Sequence, residues 1–536
     1  MDKIKLTPLG GFGEIGKNLL IFEIDKKNFI IDAGIKFSLD EEINYILPDT
    51  EYLNNLKEKI QAIFITHGHE DHVGALSKLG FLNVPIYCPP MASEIIKKKL
   101  PVNEHDKLVN ISLYKKYVFD NFKITWFPVV HSIPDSCGLI IQSKNINFVH
   151  TGDFRFDEDP VFGINSNFSK VKEFIDYKCD LLLSDSTNAM VLEDQIGERE
   201  IEKTFDIQFK KNKKIIICSF ASQISRLQLA INSAKKNNRK VVLMGSTLKK
   251  NLTISKKLEI ITEYENIIIN QNQAKKLDKR ELVYFVTGSQ GEEFSVLSRM
   301  SKKKYNDLQI DNNDIVLMSS SVIPGNENKV FEVVHNLQGL GADVIFHSSD
   351  NKLHVSGHSP QNDLEKVIET LSPKFFVPVH GDNEMLEAHK KLAINKNVNP
   401  KNIFVLSNGD NLEVTENEAK LLKKSKVIDE IVLRDKYFEI GKTKNNIYKE
   451  NIISIILVIN KKNKTLAHKP FINMFDRSNK VKVTSHLKSY ILENKTFNSF
   501  NIHQDWTQIT EQFNLEIYKL VLSKFNKKYQ IKTIIL

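Results

Sequence analysis

The sequence predicts a multidomain α/β protein. Short β-branched runs open the chain, strand and helix patterns alternate from about residue 206 to 350, and strand-then-histidine segments return after them. Its 536 residues allow two to four domains at about 150 residues each. With 41% apolar and 26% charged residues and only 22 Gly and 15 Pro, collagenous and largely disordered states are excluded.

Taken in order, residues 3 to 8, 18 to 24 and 28 to 32 alternate as strands, separated by GGFGEIG and DKKN turns. Gly11, Gly13 and Gly16 spell GxGxxG, but the following residues alternate as a strand where a dinucleotide site needs a helix, so that reading is discarded. Strands follow at 60 to 66, 124 to 130, 146 to 150 and 181 to 185, and their ends carry His, Asp or Ser. The alternating stretch comprises KIIICSF, a helical SRLQLAINSAKKNN, KVVLMG, VYFVTGS, DIVLMSSS and ADVIFHSS, a second α/β unit with a parallel sheet. A helical NDLEKVIETL and the strand-then-His segment FFVPVHGD resume the style of the first part, so the second unit reads as an insertion. The expected domains are 1–205 and 351–430 as two halves of one, 206–350 inserted, 431–450 as linker and 451–536 as a basic domain. Residues 412 to 450 are expected to be helical or linker-like.

Charge is unevenly placed. The net charge is +9, and residues 451–536 alone hold 14 Lys+Arg against 5 Asp+Glu, which accounts for all of it. A basic appendage on a neutral body suits a polyanion. No run approaches the 18 apolar residues of a membrane span, and no secretion signal is recognised at the N-terminus, so a cytoplasmic protein without membrane contact is expected. Four separated cysteines argue against a disulfide framework and a thiolate zinc site.

Chemistry concentrates in Thr66-His67-Gly68-His69-Glu70-Asp71-His72, three imidazoles and a carboxylate in a loop directly after an apolar strand. The order HxHxDH lets His67 and His69 face one metal and Asp71 and His72 another. Further ligands are expected at other strand ends: His131 with His67 and His69, His380 with Asp71 and His72, and Asp153 between the two. Two Zn²⁺ per subunit are expected, with Mn²⁺ or Mg²⁺ as alternatives, and such cations make a bound water ionise near neutral pH. Asp32 is expected to orient a ligand imidazole from behind.

HGHEDHVGA resembles the metallo-β-lactamase superfamily, and Ser184-Asp185-Ser186-Thr187, His354-Val355-Ser356-Gly357-His358 and Pro378-Val379-His380-Gly381 resemble its nucleic-acid-processing branch with an inserted β-CASP domain. Within that branch LGGFGEIGKN, DAGIKF, HTGDFRFD, SFASQISRLQ, TGSQGE and SSSVIPGNE resemble the ribonuclease J family over roughly residues 5 to 430. The resemblance implies a metallo-β-lactamase αββα sandwich with an inserted β-CASP α/β domain, followed by a small C-terminal α/β domain. It implies an RNA phosphodiesterase with 5′-to-3′ exonuclease and endonuclease action in RNA maturation and mRNA decay, on single-stranded RNA with 5′-monophosphate ends favoured. Assembly as a homo-oligomer or with a paralogue is implied as well. A noncatalytic partner subunit of such an assembly is the alternative, and a small-molecule hydrolase is disfavoured by the long insertion.

On this resemblance Asp71, His358 and Asp185 are the expected catalytic residues, His358 as general acid oriented by Asp185. His354, Val355, Ser356, Gly357 and His358 are expected to grip the scissile phosphate. Turns at Ser222, Ser289 and Ser319 are expected to shape a pocket for the 5′-terminal phosphate.

Overall fold

The computed structural model describes residues 3–38, 43–162, 165–305, 308–323 and 326–433, then 452–457, 466, 468–474, 480–493, 513–514, 516–521 and 530–535. Contacts divide the chain into one unit of residues 1–33 and 58–424 and another of 34–57 and 425–536.

The larger unit begins with the expected meander, Lys3–Gly10, Leu19–Ile24 and Lys27–Ile31, paired antiparallel in sequence order. Ile60–Phe64, Ile86–Cys88 and Leu108–Asn110 extend it in parallel on one side, and Asn411–Thr415 and Ala419–Leu422 close the other, giving eight strands. The second sheet has six strands, in the order Tyr117–Phe119, Phe122–Pro128, Cys137–Ser143, Asn147–His150, Leu181–Asp185, Phe375–Val379. The two sheets share an apolar core in which Phe22, Phe29 and Phe64 of the first meet Phe122, Trp126 and Phe148 of the second. Burying each such ring contributes about 1.5–3 kcal/mol, and alternation of apolar and polar side chains fixes which strand face turns inward. Helices Phe168–Phe174, Gln361–Leu371 and Asn383–Asn395 cover the outer face of the second sheet through Phe168, Leu364, Ile368 and Leu392.

Between Leu181–Asp185 and Phe375–Val379 the chain leaves to build a third sheet. Its six strands run Ile268–Ile269, Lys240–Met244, Leu282–Val286, Lys214–Cys218, Asp314–Met318, Asp343–Ile345, all parallel. Strands such as Ile215–Ile217 and Ile315–Leu317 are apolar on both faces because helices cover both sides, as parallel sheets require. This is the inserted α/β unit expected from the sequence.

One expectation fails. Residues 411–422 form an antiparallel strand pair rather than a helix or linker, since Leu412 and Val414 alternate inward with Glu413 outward and Thr415 meets Glu418 across the turn. Asp429–Leu433 is also a strand, in the smaller unit, where it pairs with Ile43–Leu47. The rest of the expected linker, 434–450, lies outside the described residues. The smaller unit also carries a three-stranded sheet, Phe471–Met474, Ile452–Leu457 and Gln530–Ile535, with Ile455, Leu457, Leu487 and Ile517 in its core. In the same unit Lys469 pairs with Asp49, both buried.

All four cysteines are buried and unpaired. Among the described residues no helix is long and apolar enough to cross a membrane.

Candidate metal centre

Parallel pairing brings the carboxyl ends of Asn147–His150, Leu181–Asp185 and Phe375–Val379 side by side, where Asp153 follows three residues after the first, Asp185 ends the second and His380 follows the third directly. In the first sheet Ile31 pairs with Phe64 in parallel, so Asp32 and the Thr66-His67 turn also lie at neighbouring carboxyl ends. Trp126 of the second sheet donates from Nε1 to the Ile65 carbonyl at 3.0 Å and ties the two rims together. Asp32 and His380 have φ of 58° and 54°, a left-handed conformation that costs non-glycine residues about 1 kcal/mol or more and clusters at functional sites.

Two groups of donors result. His67 Nε2 lies 3.1 Å from His69 Nδ1, and His131 Nε2 lies 3.2 Å from the same atom. Ligands about 2.0–2.1 Å from a tetrahedral ion are about 3.3 Å apart, so these separations suit one zinc-sized cation. Burial lowers all three imidazoles, His67 well below its ordinary value, His69 to about 4 and His131 to about 3. Neutral nitrogens facing one another are a ligand set in the form a cation needs.

The second group is Asp71, His72, Asp153 and His380. His72 Nε2 lies 3.1 Å from Asp153 Oδ2, and His380 Nε2 lies 3.2 Å from Asp71 Oδ2. Asp153 Oδ2 is also 3.8 Å from His67 Nε2 and 3.9 Å from His131 Nε2, which puts this one oxygen beside both groups. Burial works against charge here, yet the surrounding carboxylates raise His72 well above its ordinary value and His380 to about 10. Positive charge is therefore demanded at this point, and without a metal the protons on these rings supply it. Metal binding must displace them, so affinity should rise with pH, by about tenfold per pH unit for each proton released. Chelator competition at pH 6.5 and 7.5 measures this slope, and a flat profile would contradict the assignment.

The outer ring nitrogens are held as well. His72 Nδ1 meets Asp32 Oδ2 at 2.7 Å, the contact expected of Asp32. His67 Nδ1 meets Thr66 Oγ at 3.0 Å, His380 Nδ1 meets Thr187 Oγ at 2.6 Å, and His131 Nδ1 donates to the Gly357 carbonyl at 2.7 Å. Such partners fix the tautomer that points a lone pair at the metal.

His358 stands beside this cluster, grouped with Asp153, Asp185 and His380, its ring 5.1 Å from His131 and 5.3 Å from His380. Its Nδ1 meets Asp185 Oδ2 at 2.7 Å. Burial disfavours the charged ring, but the Asp185 carboxylate and its hydrogen bond raise the His358 pKa above the usual value. Asp185 is held in turn by the amide and hydroxyl of Thr187 on Oδ1.

The remaining expected residues divide. Ser356 Oγ receives Asn188 Nδ2 at 2.9 Å, and the half-buried His354 has an Nδ1 without a partner. Val355 is buried in the apolar core of the inserted unit and offers only its backbone. Ser289 is buried with an unpartnered Oγ, as is Ser320, which follows the strand Asp314–Met318. Ser222 lies in the turn before the helix Ile224–Lys236. Ser319 is committed elsewhere: its amide donates to the Cys218 carbonyl, its Oγ donates to the Leu353 carbonyl and it receives the Arg226 guanidinium. Missed by sequence reasoning were Thr66 behind His67, Asn18, whose Nδ2 lies 3.1 Å from the donor nitrogen His72 Nε2, and Thr187 and Asn188 behind His380 and His358. Only the run Ser184 to Asn188, polar residues crowded after a buried strand, carried a signal.

This fold, with its cluster of five histidines and two aspartates at the rim of two facing sheets, defines a metallo-β-lactamase-type protein with a β-CASP insertion. Residues 27–172 match the beta-lactamase superfamily domain, 212–337 the beta-CASP domain of ribonuclease J, and 350–406 the Zn-dependent metallo-hydrolase RNA specificity domain. The chain is 32% identical over 480 residues to ribonuclease J2 of Bacillus subtilis, covering 88% of this chain and 86% of that protein. It is 32% identical over 521 residues to ribonuclease J of Mycoplasma pneumoniae, covering 92% and 91%. It thus belongs to the ribonuclease J family. Ribonuclease J of Helicobacter pylori is 37% identical over 422 residues, 77% of this chain but 61% of that longer protein. A crystal structure of an Enterococcus faecalis protein of unknown function shares the fold, with a TM-score of 0.52 and 17% identity over 78% of this chain and all of that one.

Proposed function

We propose that the protein is a metal-dependent ribonuclease that hydrolyses phosphodiesters of single-stranded RNA, as a 5′-to-3′ exonuclease favouring 5′-monophosphate ends and as an endonuclease. The observation that carries this reading is the double donor set, His67, His69 and His131 beside Asp71, His72 and His380, with Asp153 Oδ2 within 4 Å of nitrogens of both. Those residues would hold two divalent cations, Zn²⁺ foremost and Mn²⁺ or Mg²⁺ in its place, which when bound polarise a phosphoryl oxygen and ionise water near pH 7.

The chain's own residues supply the rest. Hydrolysis leaves a developing alkoxide on the departing O3′, and His358, whose pKa is raised by Asp185 at 2.7 Å, would give it a proton. Ser356 and the backbone of residues 354–358 would hold the scissile phosphate. The unpartnered Oγ atoms of Ser289 and Ser320 and Nδ1 of His354 are buried polar groups in want of a ligand, the kind of lining a terminal phosphate would satisfy. Ser222 would contribute its turn to the same pocket. The full complement of donors speaks against a noncatalytic subunit.

The direct test is incubation of purified protein with 5′-monophosphorylated and 5′-triphosphorylated single-stranded RNA, with and without chelator. Mononucleotides released chiefly from the first substrate, and lost on chelation, are expected; cleavage indifferent to chelator would refute the reading. The basic segment 451–536 is proposed to bind phosphates of the RNA. Replacing Lys461, Lys462 and Lys464 with Gln should flatten the dependence of log affinity on log salt by about 0.7 for each phosphate that is no longer neutralised, whereas an unchanged slope would remove this segment from the RNA path.

A further inference from the structure

Four imidazoles of the cluster have their outer nitrogen fixed, and one of the four fixing groups differs from the rest. Thr66, Asp32 and Thr187 each lie just past the carboxyl end of a strand of the two facing sheets. The group that fixes His131 is instead the carbonyl of Gly357, 226 residues further along, in the segment that carries His358. The approach is close. A Cβ on Gly357 would stand 2.6 Å from His131 Cε1 and 2.7 Å from its Nδ1, so no other residue type allows this contact.

Besides the bond from His358 to Asp185, which also stands 3.5 Å from His380 Nδ1, that segment hangs from groups that touch no outer imidazole nitrogen. Asn188 Nδ2 donates to Ser356 Oγ at 2.9 Å and to the His358 carbonyl at 2.8 Å, and Gln195 Nε2 donates to the same carbonyl at 2.6 Å. At its other end the Leu353 carbonyl receives Ser319 Oγ at 2.7 Å and the buried Arg226 guanidinium. The carbonyl that orients His131 therefore stays in place only while these anchors hold.

We propose that the segment 353–358 sets the affinity of the three-imidazole position for its cation, so that seating of this segment and metal loading there are coupled, with Asn188 and Gln195 as positioning residues. The proposal rests on the metal-centre reading above. Loosening the segment frees Gly357 to move and leaves the His131 tautomer and ring orientation undetermined, which weakens a ligand without touching it. The position built from Asp71, His72 and His380 keeps its own fixing groups, Asp32 and Thr187, when Asn188 or Gln195 lets go, and is expected to change much less. Linkage makes the effect reciprocal: RNA that seats the segment tightens the cation by the same factor by which the cation tightens RNA.

The test is zinc competition with a chromophoric chelator on the full chain, for wild type, Asn188→Ala and, should that variant fold poorly, Gln195→Ala, with thermal melting as the check on folding. Two zinc ions are expected in wild type. In the variant one of them should be weakened by about 10- to 100-fold while the other stays within about twofold. In a His131→Ala background the same Asn188→Ala change should have no further effect on zinc, because the group it acts through is gone. Unchanged affinity at both positions, equal weakening of both, or a persisting effect in the His131→Ala background would each overturn the coupling. A wild-type protein that binds no zinc would instead refute the metal centre itself.

Discussion

Replacing His67 and His69 together with alanine is expected to abolish RNA cleavage, to below about one-thousandth of the wild-type rate, while RNA affinity changes by less than about tenfold. The two rings supply two of the three nitrogens of that position, His67 and His131 each within 3.2 Å of His69 Nδ1, so their removal leaves only His131 beside the shared Asp153. Neither ring belongs to the segment 354–358 or to the strand-end turns proposed to hold phosphate, so binding should survive. Folding should survive too, since the flanking Val73 and Ile65 that anchor the loop in the core are untouched. The measurements are single-turnover cleavage, filter binding and zinc content on one preparation. Turnover at the wild-type rate, or two zinc ions still bound, would overturn the assignment of these residues.

The run from His67 to His72, expected as a loop and found to pass into the short helix Glu70–Val73, was legible because three imidazoles and the Asp71 carboxylate in six residues have few structural uses, and the single residues His131, Asp153 and His380 were legible as polar side chains ending apolar strands. Convergence of Asp153 and His380 followed from parallel pairing of their strands through Leu181–Asp185, whereas the strand before His131 runs antiparallel to Cys137–Ser143; the apolar runs announced the strands but not this pairing. The partners that fix the imidazoles were not legible, because Thr187 meets His380 across 193 residues and Gly357 meets His131 across 226, and nothing in local pattern encodes such distances. Residues 411–422 were misread for a different reason: Glu413, Glu416, Glu418 and Lys420 make the stretch look like a charged surface segment, while the two inward positions, Leu412 and Val414, make too short an alternation to stand out. Ser319 looked like a phosphate contact by its place after an apolar strand, yet a buried arginine and a carbonyl claim its hydroxyl. Likewise the recruitment of residues 34–57 to the C-terminal unit depends on pairing of Ile43–Leu47 with Asp429–Leu433, two strands from opposite ends of the chain.

With zinc held saturating, His358→Ala should lower the cleavage rate by about 10²–10⁴-fold, because the ring gives up a proton and holds no cation of its own in the proposed arrangement. The defect should be specific to the leaving group. A substrate whose bridging O3′ is replaced by sulfur departs as a stable thiolate that needs no proton, so the variant should recover most of its rate on that linkage, and equal impairment on both linkages would exclude the general-acid role. The pH profile gives a second, independent reading through Asp185. As an acid, His358 is active while protonated, so the rate should fall as pH rises through its pKa, which Asp185 holds above the ordinary imidazole value. Asp185→Asn keeps the hydrogen-bonding shape and removes the charge, so the pKa drops and the falling limb should move to lower pH. Asp185 also lies 3.5 Å from His380 Nδ1, and some of the loss in that variant will come from the metal position. The two effects separate by saturation with zinc, which restores the metal contribution and leaves the displaced pH limb; a limb that stays where it is in wild type would show that Asp185 does not tune this histidine.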